Sequence, residues 1–78
     1  MEHFLSSASG LLHYLTGLRR HVDAGTRKIK AQTESYTLEG KDAIDRLSVD
    51  LRAGRLTRVK LYDSVIGDRD IEVNYLGN

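Results

Sequence analysis

The sequence predicts an α+β fold in which two helices pack on one face of a small, mostly antiparallel three-stranded sheet, in the order α-β-α-β-β. Three observations lead there. Apolar residues recur at steps of three and four over residues 3–22 and again over 40–53, the period of an amphipathic helix. Apolar and polar residues alternate over 27–38 and in two runs between 56 and 76, the period of a half-buried strand. Glycines follow both helical stretches, at Gly25 and Gly54, where a left-handed residue ends a helix.

In the first helix Phe4, Ala8, Leu11, Leu12, Leu15, Leu18 and Val22 form one stripe, and Arg19, Arg20 and His21 suit the negative end of the helix dipole. Gly10 and Gly17 oppose this reading, each costing up to ~1 kcal/mol relative to alanine. A strand over 14–22 closed by a hairpin turn at Val22-Asp23-Ala24-Gly25-Thr26 is the alternative, but it would mix Leu18 and Val22 with Lys28 and Lys30 on one face. Residues 27–38 then read as one polar strand. Ile29, Ala31 and Thr33 lie on one side, and Lys28, Lys30, Gln32, Glu34 and Tyr36 on the other. The second helix carries Ala43, Ile44, Leu47 and Leu51 on its stripe and leaves Val49 outside.

The last two strands are expected to form a hairpin. A three-residue loop, Gly67-Asp68-Arg69, pairs Val65 with Ile71, Asp63 with Val73 and Leu61 with Tyr75. That register sets Val59, Leu61, Val65, Ile71, Val73 and Tyr75 on one apolar face, and a one-residue slip would turn half of them to water. Asp63 is the misfit on that face and needs a partner, for which Arg19 is the candidate.

With 78 residues the chain is one domain, 1–78, that buries only roughly 60% of its unfolded surface. Dimerisation or partner binding is the expected source of further stability. No cysteine is present, which excludes disulfides, thiolate zinc sites and cysteine nucleophiles and favours the cytoplasm. No basic segment precedes an apolar run at the N-terminus, so no signal peptide is expected, and no apolar run approaches the ~20 residues of a membrane span. The net charge of +1 is unevenly placed: residues 1–30 carry +3 and residues 61–78 carry −3.

Nothing in the sequence assembles a nucleophile, a base and an oxyanion site, and the chain reads as a non-enzyme without cofactor. His3, His13 and His21 do not share a helix face, so no metal site is expected from them. Asp42 and Asp45 suit a helix N-terminus, and Asp63, Asp68 and Asp70 suit a turn. The sheet face away from the helices is the candidate site. Alternation places Lys28, Lys30, Glu34 and Tyr36 there from one strand, and Arg58, Lys60 and Tyr62 from another. Cations beside exposed tyrosines suit a protein partner, in which Tyr and Arg act as anchors. The same chemistry serves single-stranded nucleic acid, with cations for phosphates and rings for bases. A solvated face with no ligand is the plain alternative. A homodimer through exposed Leu38, Val49 or Leu76 is a third functional reading.

Lys28-Ile29-Lys30-Ala31, followed by Glu34 and Gly40-Lys41, resembles a stretch in a small phage-encoded type I-F anti-CRISPR protein, and Phe4-Leu5-Ser6-Ser7-Ala8 is loosely similar to that protein's start. The second halves differ in order, since here a helix precedes a hairpin whereas that protein ends in helices. The resemblance implies a compact inhibitor that binds a CRISPR surveillance complex and occludes it, with Glu34 at the position of a contact residue.

Overall fold

The structure, a computed structural model, describes residues 2–76, with the side chains from Phe4 onward, so the His3 side chain lies outside the described residues. Its elements are α1 (Glu2–Ser6), α2 (Ala8–Asp23), β1 (Ile29–Gln32), β2 (Thr37–Glu39), α3 (Gly40–Arg52), β3 (Arg58–Asp63) and β4 (Gly67–Glu72). The strands form one antiparallel sheet in the order β2-β1-β3-β4. The α+β class and the two main helices agree with the sequence, and residues 14–22 are helical. The sheet has four strands instead of three.

The fourth strand comes from the stretch expected as one strand over 27–38. Thr33 Oγ1 accepts from the N–H groups of Ser35 and Tyr36 at 3.1 Å each, and Thr33 N–H donates to the Tyr36 carbonyl at 2.8 Å. A side-chain hydroxyl thus closes the turn without glycine or proline. The chain folds back, and Gln32 pairs with Thr37 and Lys30 with Glu39.

The expected first helix is likewise two. Ser7 leaves the helical conformation, and its Oγ accepts from Gly10 N–H at 3.0 Å as the N-cap of α2. Ser7 also forms a parallel bridge with Asn74: Asn74 N–H reaches the Ser6 carbonyl at 2.7 Å, and Ala8 N–H the Asn74 carbonyl at 2.9 Å. Gly10 is required by this corner. A Cβ there would lie 1.9 Å from the Phe4 carbonyl oxygen, whereas one on Gly17 would meet nothing within 4 Å.

The hairpin turns earlier than expected. Asp63 pairs with Gly67, Leu61 with Arg69 and Val59 with Ile71, so the loop is Ser64-Val65-Ile66. Gly67, at φ 86°, supplies the left-handed residue of such a loop, and Asp63 Oδ1 accepts from Val65 N–H at 2.8 Å. The shift is an even number of residues, so Ile71 stays on the core face. Val65, however, moves into the turn at 68% exposure, and Tyr75 lies beyond the strand, with its hydroxyl on the Leu56 carbonyl at 2.7 Å.

The core lies between the sheet and the helices: Leu11, Leu15 and Leu18 of α2, Ala43, Ile44, Leu47 and Leu51 of α3, and Ile29, Ala31, Val59, Leu61 and Ile71 of the sheet. Each fully buried Leu or Ile contributes about 1.5–3 kcal/mol before entropy is counted. Leu38, expected to be exposed, packs half-buried against this core, while Val49 and Leu76 are exposed.

Candidate interaction surface

Asp63 is fully buried at the end of β3, and its partner is Arg27 instead of Arg19. Arg27 Nε donates to Oδ1 at 2.9 Å and Nη2 to Oδ2 at 2.8 Å, and the Tyr14 hydroxyl donates to Oδ2. Burial by itself would raise this carboxyl. The Arg27 guanidinium, the Tyr14 hydroxyl and the Val65 N–H outweigh that and hold it below the usual carboxylate range. Burial, with the hydrogen bond to Asp63, pushes the Tyr14 phenol up. Arg27 just precedes β1, whose Ile29 pairs with Asp63, so the register itself selects Arg27. Arg19 bonds Asp45 at 2.7 Å and ties α2 to α3. The four donors occupy both carboxylate oxygens, and the cluster pins α2, β1 and β3 together.

A second polar cluster explains Tyr36, which does not join the open face as its alternation suggested. The turn rotates it to the helix side, where it is half-buried and its hydroxyl donates to Asp50 Oδ2 at 2.7 Å. The Arg46 guanidinium lies 4.2 Å from the Tyr36 ring centre and its Nε 3.6 Å from Asp50 Oδ2. Burial first, and then the bond to Asp50, push the Tyr36 phenol up.

The remaining candidates divide cleanly. Lys30, Lys60 and Tyr62 sit together on the sheet face opposite the helices, with Arg58 two residues further along β3. All four are exposed, Tyr62 at 42%. Lys30 is directly opposite Tyr62, and Gln32 opposite Lys60. Lys30, Gln32, Lys60 and Tyr62 line a shallow groove of about 460 Å³, which Asp68 and Asp70 close on the far side. A second groove, of about 250 Å³, continues between Gln32, Glu34, Arg58 and Lys60. Glu34 therefore borders the surface from the β1–β2 turn. Lys28 precedes β1, exposed, with its backbone bonded to Ser64. Among the described residues Lys30 and Lys60 have no ion pair within 4 Å, and Arg58 has Glu72 at 3.8 Å between two largely exposed side chains.

The acidic row of β4 is the feature the sequence reading missed. The observed register sets Glu72 opposite Arg58, Asp70 opposite Lys60 and Asp68 opposite Tyr62. The expected loop placed Asp68 and Asp70 at the turn, and the expected register set Glu72 opposite Ser64. Opposite charges at a spacing of two in the two strands were the available signal, because such cross-strand pairs favour one register over its neighbours. The charge split along the sequence thereby becomes one face of mixed sign, with cations on the central strands and carboxylates on β4 and at Glu39 on β2.

Among the described residues no three or more His, Asp or Glu side chains are grouped to hold a metal ion, and no helix is long and apolar enough to cross a membrane. A scan against protein-family models matches none, and comparisons with curated proteins and with solved structures likewise find no match.

Proposed function

We propose that this chain is a non-enzymatic binding module that seats a partner protein on the open face of its sheet and acts by occluding that partner. The observation that carries the reading is the grouping of Lys30, Lys60 and Tyr62, uncovered and without close ion pairs among the described residues, on a sheet whose other face is sealed by α2 and α3. Arg58 extends the group. Aromatic rings beside Arg and Lys supply anchoring area together with charge steering. The Asp68, Asp70 and Glu72 row stands one strand away, roughly 5 Å. Single-stranded nucleic acid wants a continuous cationic track, which this row interrupts. A protein surface carrying both signs suits it. With the resemblance to the type I-F anti-CRISPR protein, the reading becomes a phage inhibitor that works in the bacterial cytoplasm by covering a subunit of a CRISPR surveillance complex.

The test is retention of a purified type I-F surveillance complex, and separately of bacterial lysate proteins, on immobilised protein. Wild type is expected to retain a partner, and Lys30→Glu/Lys60→Glu to retain about tenfold less while its circular-dichroism spectrum stays that of the folded protein. Equal retention by the variant would move the contact off this face. Loss of the purified complex alone would remove the anti-CRISPR assignment and leave the binding module.

A further inference from the structure

We propose that the outer edge of β4 takes up an extended strand from a partner protein, one carrying cations at alternate positions. This site is the outer backbone edge of β4, whose acids also border the open face, and it does not rest on the reading above. Backbone direction fixes which groups are on offer. Val73 N–H points inward to the Thr57 carbonyl at 2.8 Å, whereas the N–H and carbonyl of Asn74 point outward to Ser6 and Ala8. Direction alternates along a strand, and the ladder from Asp63↔Gly67 to Arg58↔Glu72 is unbroken. The groups of Asp68, Asp70 and Glu72 therefore point away from the sheet. The Asp68 carbonyl accepts from Arg69 Nη1 at 2.8 Å. The other five, three N–H and two carbonyl groups, have no partner among the described residues.

The chain itself pairs backbone groups on this outer side, at the junction between its first two helices and beyond the end of β4. Its own Ser6–Ala8 segment pairs there at Asn74 in parallel fashion, one step beyond the open stretch. Side chains then select the occupant. The three residues with outward backbone groups are the three acids, all exposed and all on the same face. Among the described residues no strand lies on β4's outer side to supply a countercharge. A second copy pairing antiparallel about Asp70 would set Asp70 against Asp70 and Asp68 against Glu72, and like charges directly opposite oppose that pairing. A strand with Lys or Arg at every second residue meets each acid in turn while its backbone fills the free groups, the mode by which extended peptides add to sheet edges.

The experiment uses the whole chain and a capped seven-residue peptide of alternating lysine and valine. Amide hydrogen exchange is followed residue by residue. The expected result is slowed exchange at Asp68, Asp70 and Glu72 with the peptide present. The same peptide N-methylated at alternate amides is expected to bind about tenfold more weakly or worse. Asp70→Pro removes one outward N–H without touching the ladder to β3, and it is expected to weaken binding similarly. Lys30→Glu/Lys60→Glu is expected to keep peptide uptake, so failure of the open-face reading and failure of this one are distinguishable. Unchanged exchange at the three amides would overturn the proposal, as would equal binding of the methylated peptide, which marks charge attraction alone. Protection that grows with protein concentration without peptide would replace the partner strand with a second copy.

Discussion

Replacing Arg27 with methionine removes the countercharge of a carboxylate that has no access to water. Methionine keeps much of the stem's packing, so the loss falls on the charge. Breaking a buried pair from one side costs about 3–5 kcal/mol, because the remaining ion is left uncompensated. A chain of 78 residues has about 4–12 kcal/mol of stability in total, so the variant stands near the edge of folding at neutral pH. The pH dependence separates this cause from lost packing. In the wild type the Asp63 carboxyl is held below its ordinary value, so its contribution is present above the unfolded value near about pH 4 and is lost as pH falls through the folded value. Without Arg27, burial dominates and lifts Asp63 above its unfolded value. Its contribution then reverses, present in acid and lost as pH rises through the raised value. The stability gap between the two proteins is therefore expected to shrink toward the ~1 kcal/mol of an ordinary hydrogen bond as pH falls through the folded value of Asp63, and to widen to full size by neutrality. Urea unfolding followed by circular dichroism from acid to neutral pH measures it. Arg27→Met/Asp63→Asn is expected to recover part of the loss and to flatten the curve. A cost under about 1 kcal/mol at neutral pH, unchanged by acid, would refute the reasoning.

Two glycines of one helix are expected to respond to alanine in opposite directions. Gly17→Ala, with open space around it, gains up to ~1 kcal/mol in thermal unfolding, while Gly10→Ala lowers the melting temperature because its Cβ collides with the Phe4 carbonyl. Tyr36→Phe leaves Asp50, among the described residues, with Arg46 at 3.6 Å and is expected to cost about 1.5–3 kcal/mol in denaturant unfolding.

The parts of this fold that the sequence displays are those set by long periodic stripes. Leu11, Leu15 and Leu18, and Ala43, Ile44, Leu47 and Leu51, place α2 and α3, and the glycines after them mark their ends. The parts it conceals are made by single side-chain hydrogen bonds. Thr33 closes the β1–β2 turn through its hydroxyl, in a stretch whose alternation continues unbroken through the turn. Ser7 splits the first helix inside an intact apolar stripe, and the capping acid that often follows such a serine by three residues is replaced by Gly10. Asp63 draws the β3–β4 turn forward by accepting from Val65 N–H, and apolar alternation alone does not count the residues in a loop. The candidate face was legible as far as Lys30, Arg58, Lys60 and Tyr62, because parity survives a register shift of an even number. It was not legible at Tyr36, which depends on the hidden turn, nor at Asp68, Asp70 and Glu72, which depend on the register itself.

A sheet sealed on one side and open on the other underlies the whole account, and a soluble paramagnetic probe reads it in a single titration of the free protein by NMR. Signals from Lys30, Lys60 and the Tyr62 ring are expected to broaden at low probe concentration while those of Val59, Leu61 and Ile71 stay sharp. Protection of Tyr62 together with broadening of Val59 or Ile71 would contradict the account.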